Sequence, residues 1–537
     1  MIGDRRKLIF ATVKRRWAEC VLAAIVLSSS VLAIVWVIRV PLLQNPDESS
    51  HIDYVFSIYS AGRLLNVRRP PSEWNVHPRF EGRKDLEGPE SSPYDWLSHQ
   101  YTLYLIDATE FQRIRFHYEQ KVPADYGSLA YFQGLDAEAP ASPARLQDLR
   151  PHDNPWMITA YPFLYYAVVA VCQRLLSVFG SGPAFLFLVA RLLSVVLLAA
   201  SLVLIYKVLL ELRVRTWRAL MLSAIVAFFP LTTFIASSVQ PDNLTMFLVL
   251  LCSYCALLLR RRESDQFRLS VVLGVALGAL LVTKYHIFLF TALAVLATVV
   301  TEHFFQRRPV RALMRQLAQL LLPSILLFSV QLWVVWGGDQ ITGGNLHGPS
   351  VSLPAGIKSA LMDYYRGGPA WVSWWGTFGW MDAPLVIWSP AVQARVHRVL
   401  AMLTLFALLL VFARVVQVSV RLIRLAWRKG LRQSLRIAFS NPLLTSYFLF
   451  SIFMVLLYAL SGNSFFAQGR HWFPYTLSGF VMALHYAPRV LPREWMRRVV
   501  SNLLIVGLLV YCAVGAYYSL KTITDRYYPA VTSNGMQ

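Results

Sequence analysis

The sequence predicts an all-α polytopic membrane protein with about eleven transmembrane helices. Apolar residues make up 56% of the 537 residues and charged residues only 15%, and the mean hydropathy is +0.47. Many apolar runs reach the roughly 20 residues that a helix needs to cross a bilayer. The basic residues cluster between these runs, as they do in multi-spanning membrane proteins. A soluble globular protein is therefore excluded.

The formal net charge of +22 fits a membrane protein as well. Basic clusters in short loops set the orientation of the spans and attract anionic lipid headgroups, so membrane lipids are expected partners. We expect no nucleic-acid partner, since the sequence contains no basic soluble domain with interleaved aromatic residues.

The basic clusters also predict the topology, with a cytoplasmic N-terminus. If the apolar segment 160–179 crossed the membrane, the cluster around Arg213 would lie on the wrong face. We therefore predict an interfacial or re-entrant helix there, with Gln173 and Arg174 towards water. The eleven predicted spans are 19–39, 184–206, 219–239, 243–259, 268–284, 286–304, 316–336, 398–416, 442–460, 473–487 and 499–519.

These spans divide the chain into seven parts. The two large outer segments are rich in polar and aromatic residues and are the expected places for a site. The parts are a cytoplasmic N-terminus (1–18), the first transmembrane helix (19–39), an extracytoplasmic loop with interfacial helices and an acidic motif (40–183), a transmembrane core (184–336), an extracytoplasmic aromatic loop (337–397), the C-terminal transmembrane helices (398–519) and an extracytoplasmic tail (520–537).

A short helix is predicted directly after the first span. Asn45, Pro46 and Glu48 have the order of an N-cap, a first-turn proline and an acidic third position. An apolar face follows, and Gly62 is the expected end of the helix. Helix capping by itself explains these residues.

The same stretch supports a catalytic alternative. Asp47, His51 and Tyr54 follow an i, i+4, i+7 spacing and share one helix face, with Glu48 beside His51. Ionisable residues at a membrane boundary often mark a site, and a carboxylate there suits a general base. Asp47, Glu48 and His51 would also suit Mg or Mn, which accept oxygen ligands and one imidazole.

Charged residues on the same predicted membrane face extend this site. Asp242 occupies a short outer loop, either as a first-turn residue of the next helix or as a second acid. Lys284 and Tyr285 lie between two apolar runs, where snorkelling is the alternative to anion binding. Gln468 and Arg470 precede a short span, and Arg470 suits either a phosphate or interfacial anchoring.

The loop 364–382 is unusually rich in tryptophan. Four tryptophans fall within ten residues, whereas an interfacial aromatic belt explains one or two. We interpret the loop as a re-entrant or lid segment in which Trp375 and Trp380 stack on a sugar or pack against a lipid.

The order of these motifs resembles that of the GT-C membrane glycosyltransferases, over about residues 40–490. This superfamily includes protein O-mannosyltransferases, oligosaccharyltransferase catalytic subunits and lipid A aminoarabinose transferases, and a bacterial branch of multi-spanning proteins is particularly similar. The motifs that carry the resemblance are the acidic first loop, Tyr161-Pro162-x-x-Tyr165-Tyr166, the Pro241-Asp242 turn, Thr283-Lys284-Tyr285, Trp375-Gly-x-Phe-Gly-Trp380 and Gln468-Gly-Arg-x-x-x-Pro474.

The resemblance implies a GT-C-like fold and an inverting glycosyltransferase of a bacterial inner membrane. Asp47 or Glu48 would be the first catalytic acid and Asp242 the second, while Lys284 and Arg470 would hold the donor phosphate. The donor would be a polyprenyl-phosphate or polyprenyl-diphosphate sugar, and the acceptor an extracytoplasmic glycan, lipid or protein.

Two departures from the family pattern matter. Many members carry a soluble C-terminal domain that this sequence lacks, so acceptor recognition is expected from the loops 40–157 and 337–397. His471 also stands where an aromatic tyrosine is more usual.

Two other functions remain open at this point. A flippase or exporter of lipid-linked sugars would need polar groups inside the spans, and Arg191 and Gln331 are among the few present. A non-catalytic membrane component of polysaccharide assembly is the other alternative.

Overall fold

The computed structural model has a helical architecture consistent with the predicted class. It describes residues 2–42, 45, 48–62, 64, 128–138, 161–180, 182–261, 266–307, 309–335, 374–375, 377–378, 383–385, 389–461 and 469–528. Within these ranges the strands are two residues long, β1 (Thr377–Phe378) and β2 (Ala383–Pro384), and they pair antiparallel.

Among its described residues, the N-terminal part has one long helix and three short ones. The long helix ends at Arg39, and the chain then turns into the helix with the acidic motif. The helices are α1 (Ile2–Arg39), α2 (Glu48–Ala61), α3 (Leu129–Glu138) and α4 (Leu164–Leu176).

The central part contains seven helices joined by short connections. Proline occupies the first turn of three of them, where its missing N–H and fixed φ favour helix initiation. They are α5 (Pro183–Glu211), α6 (Thr216–Phe228), α7 (Pro230–Ala236), α8 (Pro241–Leu259), α9 (Gln266–Leu281), α10 (Tyr285–Phe305) and α11 (Val310–Val335).

The C-terminal part alternates long helices with an irregular stretch. This stretch contains a 3₁₀ helix (Gly469–Tyr475), α15 (Thr476–Val481), a π-helical turn (Met482–Tyr486) and a second 3₁₀ helix (Ala487–Val490). The remaining helices are α12 (Pro390–Lys429), α13 (Leu431–Ala438), α14 (Pro442–Ser461) and α16 (Glu494–Tyr527).

In the part of the chain that the structure describes, seven helices are long and apolar enough to cross a membrane. The number rises to nine if two bent pairs, α6 with α7 and α13 with α14, each form one span. The predicted number of eleven is therefore not confirmed. The predicted span 268–284 corresponds to α9, which has only 16 residues, and the predicted span 473–487 is the irregular 3₁₀, α and π stretch.

Helix α9 packs against α11 through two glycines spaced four residues apart. A Cβ atom on Gly274 would lie 2.5 Å from the carbonyl oxygen of Gln319, and one on Gly278 would lie 2.8 Å from the Cα of Ser324. Small residues at this spacing let two helix backbones approach closely inside a membrane. This contact explains why a short apolar helix is held firmly within the bundle.

Helix α4 matches the predicted interfacial segment in extent but not in orientation. Its 13 residues are too few to cross a bilayer, which needs about 20. Gln173 was expected to face water, yet it is fully buried, and its Nε2 donates to the carbonyl of Leu186 at 2.8 Å. Arg174 is exposed, as expected, and donates to the carbonyl of Tyr59.

Candidate functional site

An ion pair between α8 and α10 forms the centre of the candidate site. Asp242 lies in the first turn of α8, and Lys284 directly precedes α10. The Lys284 ammonium group contacts the Asp242 carboxylate. The side chain of Asp242 is 10% exposed and that of Lys284 is 13% exposed, so the pair is largely enclosed but still reaches the surface.

The loop before α8 is held rigidly by side-chain hydrogen bonds. The Asn243 amide donates to the carbonyls of Ile235, Ser238 and Gln240, which caps the end of α7. The Ser194 hydroxyl from α5 donates to the Ser238 carbonyl at 2.7 Å. These bonds fix the position from which Asp242 projects.

His471, which follows the predicted Gln-Gly-Arg motif, lies near this ion pair. His286 of α10 is within electrostatic range of Lys284, Asp242 and His471. The His286 ring stacks on Phe450 at 6.3 Å between centroids, and Phe450 contacts Trp472 edge-on. The segment that contains Arg470 therefore approaches the Asp242–Lys284 pair, although Gln468 and the side chain of Arg470 lie outside the described residues.

A tyrosine cluster joins α2 to α4 near the pair. The Tyr166 hydroxyl is hydrogen-bonded to Nδ1 of His51 at 2.9 Å, and the Tyr54 ring packs on Tyr166 at 4.3 Å. Tyr161 contacts the His51 ring edge-on at 5.1 Å. Complete burial raises the pKa of the Tyr166 hydroxyl well above its ordinary value, so it stays protonated.

This cluster is continuous with the ion pair. Tyr166 is within electrostatic range of Asp242, and Tyr54 is within range of Tyr285. Tyr285 also lies near Gln331, whose side-chain oxygen accepts a hydrogen bond from the backbone N–H of Phe163 at 3.1 Å. Five predicted site residues are therefore gathered at one end of the bundle, namely His51, Tyr54, Asp242, Lys284 and Tyr285.

Glu48 has a different environment from the one expected of a catalytic acid. Its carboxylate is completely buried and accepts two hydrogen bonds from Arg191 of α5, at 2.6 and 2.9 Å. The backbone N–H of Val239 (3.0 Å) and the Asn45 amide (3.2 Å) donate to the same two oxygens. With four donors in place, this carboxylate is a structural anchor and not an available base.

Arg191 completes this anchor. Its five guanidinium N–H groups donate to the two Glu48 oxygens and to the carbonyls of Val37, Val40 and Pro41. The last three residues belong to the end of α1 and the turn that follows it. Arg191 therefore ties α1, α2 and α5 together at the entrance to the acidic motif.

The structure gives little support to the suggested Mg or Mn site. Asp47 lies outside the described residues, and the oxygens of Glu48 are already occupied by cationic and amide donors. Within the described residues, no group of three or more His, Cys, Asp or Glu side chains is arranged to hold a metal ion.

Trp375 lies in an aromatic cluster around the bend between α6 and α7. It contacts Phe229 and Tyr511, and the Tyr511 hydroxyl donates to its carbonyl at 2.5 Å. The two helices meet at Phe229 with an angle of 61°. These contacts give Trp375 a packing role, while Trp380 lies outside the described residues.

The sequence interpretation missed the importance of two residues. Arg191 was noted only as a polar residue within a span, yet a buried arginine in an apolar helix requires a partner, and Glu48 is the acid that follows the preceding span. Tyr166 entered only through a family motif. Its hydrogen bond to His51 joins positions 115 residues apart, which no local spacing reveals.

Comparison with models of protein families gives a match over most of the chain. A protein-family model described as "Predicted membrane protein (DUF2142)" matches residues 31–478. None of the curated proteins compared with the chain matches it. The matched range includes the acidic motif, Asp242, Lys284 and the Gln-Gly-Arg motif.

Proposed function

Since the chain belongs to the DUF2142 family of predicted membrane proteins, we propose that it is a membrane glycosyltransferase of the GT-C type, with eleven spans when the short segments are counted. It moves a sugar from a polyprenyl-phosphate or polyprenyl-diphosphate donor to an extracytoplasmic acceptor. Its site is assigned to the outer face of a bacterial inner membrane, following the distribution of basic residues.

The observation that carries the proposal is the Asp242–Lys284 pair at the end of two apolar helices. An enclosed ammonium group, held by a carboxylate and next to a Gly-Arg-His segment, suits a phosphate that bears a developing negative charge. Asp242 then acts as a positioning residue that fixes the Lys284 side chain, rather than as a second acid.

The surface of α10 offers a path for the lipid part of such a donor. Tyr285, Leu289 and Leu293 are 36%, 50% and 48% exposed. Because they are four residues apart, they form one stripe on the helix that leads away from Lys284. A polyprenyl chain lying along this stripe would bring its phosphate to the ammonium group.

The reaction is a single displacement at the anomeric carbon. An acceptor hydroxyl oxygen forms the new bond to this carbon while the bond to the lipid phosphate oxygen breaks. The phosphate oxygen takes the electron pair and is stabilised by Lys284 and Arg470. Asp47 takes the hydroxyl proton, and the configuration of the sugar inverts.

The structure weakens the argument that polar residues inside the spans belong to the transport path of a flippase or exporter. Arg191, one of the two intramembrane polar residues considered for transport, uses all five N–H groups to bind Glu48 and backbone carbonyls. It therefore has no free donor for a transported headgroup.

The proposal is tested by mass spectrometry of lipid-linked sugars and surface glycans in cells with and without the gene. Loss of the gene should cause one polyprenyl-linked sugar to accumulate and one glycan component to disappear. Asp47→Asn should reproduce both changes at normal protein level, because the amide cannot accept the proton. Asp47→Glu is the matched variant and should restore part of the glycan.

Unchanged lipid and glycan profiles without the gene would contradict the enzyme assignment. Full glycan in the Asp47→Asn strain would instead remove Asp47 from the mechanism. Movement of a labelled lipid-linked sugar across vesicles without a covalent product would favour transport.

A further inference from the structure

A second polar pocket lies at the opposite end of α8 from Asp242. The 19 residues of α8 separate its two ends by about 28 Å, at 1.5 Å per residue. The pocket lies among the ends of α8 and α10 and the beginnings of α9 and α11. Its polar lining consists of Arg260, Gln266, Glu302, His303, Gln306 and Gln316.

Among the residues that the structure describes, two arginines and one acid lie beside this pocket. Glu302 accepts two hydrogen bonds from Arg436, at 2.8 and 3.1 Å, one from Nε of Arg260 at 3.4 Å and one from the Gln306 amide at 3.1 Å. Arg260 also donates through Nη1 to the carbonyl of Ser440, which leaves its Nη2 without an acceptor among the described residues. The described part of the pocket therefore carries more positive than negative charge.

His303 provides an independent indication of a ligand. Its side chain lines the pocket and is only 4% exposed. Neither ring nitrogen has a hydrogen-bond partner in the part of the chain that the structure describes. A buried polar group left unbonded is destabilising, so an imidazole in this position favours a bound polar molecule.

The surroundings of the pocket identify the kind of molecule. Phe304 and Val310 beside it are 53% and 67% exposed, as expected for side chains that contact lipid. Arg311 and Arg315, in the first two turns of α11, are exposed as well. Apolar exposure combined with excess positive charge near helix ends is typical of a binding site for an anionic lipid headgroup.

We propose that this pocket binds the phosphate of an anionic phospholipid, with His303 and Arg260 as donors and Gln316 as part of the polar lining. The acyl chains lie against the exposed apolar side chains of α10 and α11. The site is separate from the Asp242–Lys284 pair and does not depend on the proposed transferase activity.

The test is native mass spectrometry of the purified full-length protein in a neutral detergent. It is titrated with phosphatidylglycerol, phosphatidylcholine or inorganic phosphate. The wild type should retain one phosphatidylglycerol molecule, and His303→Leu and Gln316→Leu should each weaken this binding at least tenfold. Arg261→Gln is the matched control. It removes a neighbouring basic residue that pairs instead with Glu211 of α5, so it should bind like the wild type.

Three outcomes would overturn the proposal. Equal phosphatidylglycerol binding by the wild type and both leucine variants would show that the lipid does not bind in this pocket. If Arg261→Gln weakens phosphatidylglycerol binding equally, the binding depends on general surface charge and not on this pocket. Binding of inorganic phosphate without phosphatidylglycerol would assign the pocket to a soluble phosphate compound instead of a lipid. If His303→Leu does not fold, phosphatidylglycerol binding by Gln316→Leu and His303→Gln is compared with that of the wild type instead.

Discussion

Two carboxylate–cation pairs lie near each other at the same end of the bundle, and they differ in burial. Glu48 and Arg191 are fully buried, and every guanidinium N–H group and both carboxylate oxygens are bonded within the protein. Asp242 and Lys284 contact each other and remain partly exposed. The first pair holds helices together, whereas the second is the one proposed to bind a ligand.

This difference shows that an acidic residue in a membrane-boundary motif need not be catalytic. Glu48 is adjacent to the predicted base Asp47, but its environment is that of a structural ion pair. A buried charge must have compensating partners, and here Arg191 supplies them. Burial of the ion pair therefore distinguishes the two environments better than residue type does.

The largest expected effect follows from breaking the buried pair. Arg191→Met leaves the Glu48 carboxylate buried without a counter-charge, which should lower the free energy of unfolding by about 3–5 kcal/mol. Thermal unfolding in detergent, followed by size-exclusion chromatography, measures this loss. The double variant Glu48→Leu with Arg191→Met should recover much of it, because no unpaired charge remains. A wild-type melting temperature for Arg191→Met would contradict the structural role.

The partly exposed pair should affect activity more than stability. Lys284→Met removes the ammonium group proposed to stabilise the leaving phosphate, so sugar transfer should fall about 100-fold, in the range for lost electrostatic stabilisation. Asp242→Asn should cause a similar loss, because Lys284 then lacks its positioning partner. Accumulation of the lipid-linked donor, measured at equal protein level, gives the comparison.

The double variant of this pair decides whether the two residues act as a unit. If they do, Asp242→Asn adds little to the effect of Lys284→Met, since contacting residues are non-additive. Losses that multiply would show that the two residues act independently and would end the positioning role of Asp242.

A smaller effect is expected in the tyrosine cluster. Tyr166→Phe keeps the ring packed on Tyr54 but removes the hydrogen bond to His51, which should cost about 1 kcal/mol of stability. Thermal unfolding measures this change. Tyr165→Phe gives the comparison within the same cluster, where the hydroxyl lies 3.5 Å from Ser194 and also faces the backbone of Gln240. If Tyr165→Phe loses more stability than Tyr166→Phe, the hydrogen bond between Tyr166 and His51 is not the stronger of the two.

The smallest effect is expected for a more exposed pair. Glu211 and Arg261 are in contact, but their side chains are 21% and 39% exposed. Glu211→Gln should therefore change stability by no more than about 0.5 kcal/mol, since solvent screens such pairs. A loss as large as that of Arg191→Met would show that burial does not control the strength of these ion pairs.

Much of the fold could be predicted from local sequence. The helix predicted to end at Gly62 is present as α2, which runs from Glu48 to Ala61 with Gly62 at φ +66°. The predicted N-cap is wrong, because the Asn45 side-chain oxygen has no partner among the described residues and its amide donates to Glu48 instead. The nature of the chain as a multi-span membrane protein is confirmed by its apolar helices and its family. These features depend on residues close in the chain, so local pattern determines them.

Other features could not be predicted in this way. Hydropathy suggested a span at 473–487, where the structure contains 3₁₀ and π turns packed within the bundle. Gln173 lies on a helix with an apolar face, yet it is buried because the Leu186 carbonyl accepts its hydrogen bond. Average hydropathy indicates whether a segment is buried away from water. It does not indicate which neighbouring group forms the hydrogen bonds that water would otherwise form.

The sequence by itself determined the membrane-embedded helical class, the order of the elements and the placement of ionisable residues at the ends of apolar runs. Only the tertiary structure decided that Glu48 binds Arg191, that Asp242 binds Lys284, and that Tyr166 binds His51. The physical reason is that hydropathy and helix capping act within a few residues. A buried charge or hydroxyl instead takes its partner from whichever distant segment the packing of helices brings within hydrogen-bonding distance.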